Sequence, residues 1–294
     1  MTVVTNTTRV NLKDRVSLYL SLIKSLQTSL LLMTGAAGYL SANMPDWPVF
    51  MQMVFSLFLA IAGSTILNMW WDRDIDAKMK RTHMRPAPSG KLSASEVLQL
   101  GLAVSVLGVG WALWLDRYYG LVVFAGLFFD VAVYSMWLKR RTCWSILWGG
   151  ISGAMPILAG RVLAVGGIET IGILLSFAIL LWIPTHTLTY SIKFRADYED
   201  AGVPTFPAAY GVQITRAIIA ISAVLAALSI GWASILINLS AGLLSAIAVL
   251  TAVLLILAFA TLRIHTDRMN FILFRYASVY MLCAMLILSL QGFV

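Results

Sequence analysis

Asn68, Asp72 and Asp76 stand four residues apart in the run Asn68-Met-Trp-Trp-Asp72-Arg-Asp74-Ile-Asp76. On a helix that period stacks an amide and two carboxylates along one face, with neighbouring side chains roughly 5–6 Å apart, while Asp74 points elsewhere. Like charges in that register repel, and more strongly where the dielectric is low. A compensating cation is the simplest reason to keep them. Hard oxygen ligands suit Mg²⁺, which takes one or two carboxylates and fills its other positions with water and substrate phosphates. Lys80, Arg81 and Arg85 follow closely and supply donors for phosphate oxygens, the arginines in bidentate fashion. Acid and base therefore converge on a diphosphate. A solvated loop that only fixes topology accounts for Lys78 or Asp74, but poorly for the spacing of the other three.

A second cluster of the same character is Tyr190-Ser-Ile-Lys193-Phe-Arg195-Ala-Asp197-Tyr198-Glu199-Asp200. Two acidic clusters facing each other around a diphosphate can hold two metal ions that bridge its oxygens and stabilise a departing phosphoryl group. Asp197 is the stronger candidate ligand here, and Asp200 beside it reads equally well as an ordinary solvated charge. Glu199 reads equally well as a solvated charge, and Tyr190 and Tyr198 line a pocket or belong to an aromatic belt at a membrane surface.

These clusters need elements to hold them, and the composition says which. Of 294 residues, 60% are hydrophobic and only 12% charged, about half the roughly 25% of soluble globular domains. Apolar runs lie near 17–41, 48–70, 95–115, 118–138, 144–166, 170–191, 213–236, 239–262 and 271–293. Each approaches the roughly 20 residues that cross a bilayer as a helix. The expected fold is all-α: a polytopic membrane protein of about nine transmembrane helices in one bundle, with residues 1–294 forming a single transmembrane domain. Residues 1–16 are polar and precede a first run without a small-residue cleavage pattern, so no signal peptide is expected. Both acidic clusters fall in the two long polar connections, 71–94 and 192–212, on the same face.

The net charge of +8 raises the question of nucleic acid, and the placement of the charges answers it. Of 21 Lys and Arg, 19 fall on one face of a nine-span topology, including Arg9, Lys13 and Lys24 at the N-terminus, Arg73 to Lys91, and Lys139 to Arg141. By the positive-inside rule that face, with the N-terminus, is cytoplasmic. The basic charge is a topology signal in a cell membrane, not a nucleic-acid surface. Asp130 lies deep in the fourth span and should face the interior and find a partner, whereas Arg161 should snorkel at the far interface. Cys143 and Cys283 read as packing residues. A transporter would gather its ionisable groups near the midplane, but here they collect at one membrane edge.

The run from Asn68 to Asp76, followed by Arg81-Thr82, Arg85-Pro86 and Gly90-Lys-Leu-Ser93, resembles the first aspartate-rich motif of the UbiA superfamily of intramembrane prenyltransferases. The likeness is strongest to the branch that farnesylates protohaem IX. Tyr134 to Thr142, Gly149-Gly150, Gly153-Ala-Met-Pro156 and Asp197-Tyr198 with Pro204 and Pro207 are similar to the same branch. The chain departs from that pattern at Lys24-Ser25, Thr185-His186, Ser145, Asp130 and Arg161, which bears on the acceptor. The resemblance implies transfer of a farnesyl group from farnesyl diphosphate to a haem vinyl group with Mg²⁺, two ions being expected. It implies Asn68, Asp72, Asp76, Asp197 and Asp200 as metal ligands, with Asp72, Asp76 and Asp197 catalytic. Lys24, Arg81, Arg85, Lys139, Arg140 and Lys193 would bind diphosphate, and His186, Tyr190, Arg195 and Tyr198 would meet the acceptor. A quinone-precursor, pigment or lipid acceptor is the alternative within the superfamily.

Overall fold

The computed structural model describes residues 12–42 and 44–293, and among these there is no β-strand. Arg9 and the side chain of Lys13, counted above toward the N-terminal charge, lie outside the described residues, as does most of the 1–16 segment. Inside a bilayer no water is available to backbone N–H and C=O groups, so each span must satisfy them internally, which a helix does. In chain order the helices are α1 (Leu12–Leu22), α2 (Ser25–Leu40), α3 (Trp47–Trp71), α4 (Arg73–Lys78), α5 (Ala94–Leu115) and α6 (Arg117–Phe128). A π-helical continuation of α6 (Phe129–Leu138) follows. Then come α7 (Ser145–Val165), α8 (Thr170–Lys193), α9 (Arg195–Asp200), α10 (Phe206–Tyr210), α11 (Val212–Leu236), α12 (Ala241–Arg263) and α13 (Asp267–Leu290). Among the described residues eight spans are long and apolar enough to cross a membrane, and α1 with α2, taken as one bent span, supplies a ninth.

That ninth span differs from the expected continuous helix over 17–41. It bends by 47° at its break, where Lys24 adopts a left-handed backbone with φ 48°. A non-glycine residue held in that region is strained, and at this turn Lys24 lines a cavity within the bundle. The other span starts are written in local chemistry. Asp46 caps α3 through the Val49 N–H at 3.2 Å, Ser93 and Glu96 form a reciprocal capping box at α5, and Asp116 accepts from the Tyr119 N–H at 2.7 Å. Each satisfies N–H groups that the helix start leaves without an internal partner.

Helices meet closely where side chains are small. The α-carbon of Gly160 on α7 lies against the Gly35 carbonyl of α2, and Gly38 of α2 lies against the Ile157 carbonyl, so a Cβ at either position would collide with backbone. Small residues let membrane helices approach without a solvent-driven hydrophobic force. On one side α2, α3, α5, α6 and α7 bury Met53, Leu57, Tyr119, Ala159 and Val162. On the other, α7, α8, α11, α12 and α13 enclose Ile157, Leu175, Ile230, Leu254 and Leu288. The outward faces carry Leu107, Trp114, Leu228, Val249 and Ile256, all more than half exposed, as lipid-facing positions require.

Arg161 corrects the expectation of snorkelling. It is only 6% exposed, donates to the Ser41 carbonyl at 2.5 Å and to its hydroxyl at 3.1 Å, and pairs with Glu169. A buried guanidinium must spend its donors on protein acceptors, and these three tie the ends of α2, α7 and α8 together. Asp130 does face the interior and has partners.

Candidate active site

The end of α3 carries the first cluster. Asp72 caps α3, and α4 resumes one residue later. The backbone bonds Asp72 N–H to Asn68 O (2.9 Å) and Asp76 N–H to Asp72 O (2.8 Å) preserve the four-residue pitch across the junction. Asn68, Asp72 and Asp76 therefore sit on successive turns, with both carboxylates buried at 6% exposure. Each acid is held by a cation from elsewhere: the Lys139 ammonium donates to Asp72 Oδ2 at 2.5 Å, and the Arg85 guanidinium to Asp76 Oδ2 at 2.7 Å. Asp74 points outward, where Arg140 donates to both of its oxygens at 2.7 Å. That hydrogen-bonded guanidinium holds the Asp74 carboxyl below its ordinary pKa.

Among the buried side-chain oxygens with no hydrogen-bond partner among the described residues are Asn68 Oδ1 and Asp72 Oδ1. They belong to side chains one turn apart that line one cavity. Leaving buried acceptors unmade is costly, and a pair of hard oxygens at a cavity wall fits a divalent cation of the Mg²⁺ type. Among the described residues no three His, Cys, Asp or Glu side chains converge on one point. Asp197 is half-buried and Asp200 exposed, and neither carboxylate takes part in a side-chain hydrogen bond among the described residues. The two polar segments nevertheless touch, since Ile75 and Met79 pack with Tyr198, Ala201 and Val203. The structure thus joins the segments through apolar contact and does not gather the second pair of acids with the first.

The continuation of α6 decides which groups from the fourth span reach the cavity. A π-helix bonds residues five apart, and Lys139 N–H donates to Tyr134 O at 2.8 Å in that register. The wider turn brings Asp130, Tyr134, Ser135 and Lys139 to the lining of one cavity. Lys24 enters the same lining from the α1–α2 break. Arg81 lines a neighbouring cavity and lies over the Phe194 ring, 5.4 Å from its centroid. Arg140, Lys193 and Arg195 are not brought in. The first is committed to Asp74, the second is exposed over Phe194 and Phe271, and the third pairs with Glu199 one turn along α9 at 2.6 Å.

The larger cavity, about 720 Å³, runs from Lys24, Asn68, Asp72 and Lys139 at its charged end to Leu31, Leu57, Ala60, Val123 and Met155 deeper in the bundle. The smaller, about 450 Å³, is lined by Arg81, Cys143, Tyr190, Tyr198 and Phe206 among others. They share Tyr134, Lys139, Ile146, His186 and Thr187 as common walls. His186 sits in a ladder with Trp182 and Tyr190, ring centroids 5.9 and 5.0 Å away, and meets Phe274 at 5.4 Å. Among the described residues nothing hydrogen-bonds its ring nitrogens. One charged mouth thus serves two compartments.

A family model described as the UbiA prenyltransferase family matches residues 30–286. The chain belongs to that family. Among curated relatives it is 41% identical to a protoheme IX farnesyltransferase of Archaeoglobus fulgidus over 200 residues, which cover 68% of this chain and 71% of the relative. A Cereibacter sphaeroides protein of the same name is 38% identical, covering 73% and 70%. The fold is shared with a solved digeranylgeranylglyceryl phosphate synthase at 20% identity and a TM-score of 0.79, covering 95% of this chain and 99% of that one. It is shared also with a UbiA homologue from Archaeoglobus fulgidus bound to GPP and Mg²⁺, at 14% identity and a TM-score of 0.70, covering 92% and 99%. As a UbiA prenyltransferase the chain is a multi-pass membrane enzyme.

Several lining residues of this UbiA chain escape a reading of spacing alone. Ser64 and Trp182 look like ordinary span residues, and Tyr134 like part of an interfacial aromatic belt. Only the π register, which leaves no periodic mark in so short an apolar stretch, turns Tyr134 and Lys139 to one cavity.

Proposed function

We propose that this prenyltransferase moves a farnesyl group from farnesyl diphosphate to a vinyl group of protohaem IX, with Mg²⁺, at a charged mouth facing the cytoplasm of a cell membrane. The observation that carries this reading is the pairing of one charged mouth with two compartments, an apolar one for a prenyl tail and an aromatic one containing His186. The names of relatives at about 40% identity support the donor and acceptor, and the placement of Lys and Arg supports the orientation.

In this reading Asn68 and Asp72 would hold the cation by their free oxygens, with Asp76 as a further ligand and Arg85 as a phosphate donor, and Asp197 and Asp200 would hold a second ion. Bound Mg²⁺ would supply positive charge to the diphosphate oxygens as the bond to carbon weakens. Lys139 and Lys24 donate to the same oxygens, and their charge is already fixed toward the leaving group before reaction. The allylic C–O bond breaks with its electron pair leaving on diphosphate. The vinyl π electrons then form the new C–C bond, and water adds to the resulting carbocation with loss of a proton, giving a hydroxyethylfarnesyl side chain. The deep apolar walls keep water from the farnesyl cation until the acceptor attacks. Cations at the mouth, Arg81 among them, pair with the haem propionates, and His186 faces the macrocycle with Tyr190 and Tyr198.

Titrating protohaem into the purified protein tests the acceptor. A shifted Soret band that His186→Ala alters is expected, together with diphosphate release from farnesyl diphosphate that needs both haem and Mg²⁺. Release driven by a quinone precursor or a lipid phosphate but not by haem would overturn the acceptor assignment and leave prenyl transfer standing.

A further inference from the structure

Asp130 has no part in the scheme above, yet among the described residues it is the only acid that reaches the larger cavity from within a span. Its Oδ2 accepts two hydrogen bonds, from the Ser64 hydroxyl at 2.5 Å and from Asn68 Nδ2 at 2.7 Å. The second bond matters for what lies on the other side of Asn68. A primary amide presents two donors on nitrogen and an acceptor on oxygen, and rotation by half a turn exchanges them at nearly the same shape. An amide turned the wrong way would aim N–H groups, which cannot bind a cation, at the space beside Asp72.

A carboxylate oxygen already occupied by a serine hydroxyl offers the amide acceptor capacity only, so the Asn68 nitrogen faces Asp130 and the Asn68 oxygen faces away. That oxygen is buried and unpartnered among the described residues, as is Asp72 Oδ1 beside it in the cavity lining. The two stand one turn apart, on the last turn of α3 and its cap. We propose that Asp130, braced by Ser64, is a positioning residue that fixes the amide of Asn68 so that its oxygen joins the free oxygen of Asp72 as a paired site for a divalent cation. The inference rests on the metal reading given under Proposed function and assigns Asp130 a role one step behind the ligand. Groups that orient a metal ligand in this way are worth about 10–100-fold in metal affinity.

The π register explains how an acid so deep can do this. Asp130 lies nine positions before Lys139 in sequence, yet both line the same cavity wall. Lys139 engages Asp72 from one side while Asp130 engages Asn68 from the other. One segment therefore sets both members of the oxygen pair.

The test is Mn²⁺ binding, read by electron paramagnetic resonance, to the purified protein with a non-hydrolysable farnesyl thiodiphosphate. It does not depend on turnover. Asp130→Leu is expected to weaken Mn²⁺ binding about tenfold or more, with Asp130→Ala serving the same purpose should the larger side chain not be accommodated. Asp130→Asn keeps an acceptor oxygen for the amide and recovers most of the affinity. In an Asn68→Ala background, Asp130→Leu should add nothing further, because the residue acts only through the amide. Unchanged Mn²⁺ affinity in the Leu and Ala variants would overturn the inference, as would a loss by Asp130→Leu that is as large in the Asn68→Ala background as in the wild type. Equal losses for Asn and Leu would overturn it too, in favour of charge. If the wild-type protein binds no Mn²⁺ beside the thiodiphosphate, the metal reading itself fails and the inference goes with it. Normal wild-type binding with unaffected variants removes the inference alone.

Discussion

Asp72, Asp74 and Asp76 lie within five positions and meet three different partners: a half-buried lysine, an exposed arginine and a half-buried arginine. The four-residue spacing of Asn68, Asp72 and Asp76 was legible because helical pitch is local. Their partners were not, because Lys139 stands 67 positions from Asp72 and only the packing of the fourth span beside α3 brings it there. Replacing Asp72 or Asp76 by alanine should cut prenyl transfer by about two orders of magnitude or more, as loss of a group aimed at the leaving charge does, in protein that still elutes as one folded species. Asp74→Asn should keep turnover within about threefold, since an exposed ion pair is worth little. Asp74 losing activity as completely as Asp72 would contradict this division. The Asp74–Arg140 pair also carries a pH signature. Its folded pKa is depressed, so whatever stability it adds is present at neutral pH and fades as pH falls through and below the ordinary carboxylate range near 3.9. Asp74→Asn should narrow the gap in thermal midpoint between neutral and acid pH, and high salt should erase the difference.

Eight spans and their order could be read from hydropathy alone, because each needs only length and apolarity. Two departures from regular helix could not, and both serve the mouth of the cavity. Residues 17–41 carry nothing in their hydropathy that distinguishes a straight helix from one broken at Lys24, since a single left-handed residue leaves the apolar run unchanged. Nor does the apolar run 118–138 reveal that its last ten residues wind as a π-helix. The π turn makes a sharp prediction. Deleting Met136, which is 44% exposed and outside both cavities, removes one residue between Tyr134 and Lys139. The following residues would rotate by about 100°, one residue of an α-helix. Lys139 should leave Asp72 and transfer should be lost, while far-ultraviolet circular dichroism retains its helical signal. Retained transfer would show that the π register does not place Lys139.

At the scale of the whole molecule, composition excluded a soluble fold and charge placement set an expected orientation. Inter-helical contacts lay beyond both, which is why Arg161 looked like an interfacial residue and is instead a buried tie between three helix ends. Orientation has its own check. Ser89→Cys, in the exposed loop between α4 and α5, should react with an impermeant maleimide in inverted membrane vesicles and stay unmodified in right-side-out ones. The reverse pattern would invert the topology and place the charged mouth outside. The joining of an apolar and an aromatic compartment under one charged mouth is the basis of the assignment as a haem-farnesylating enzyme, and the mass of the haem recovered after reaction tests it most directly. Purified protein given protohaem IX, Mg²⁺ and an equimolar mixture of geranyl, farnesyl and geranylgeranyl diphosphates should yield haem heavier by one farnesyl and one hydroxyl group, and none when EDTA is present. Haem recovered unchanged by protein that still consumes a prenyl diphosphate with another acceptor would contradict it.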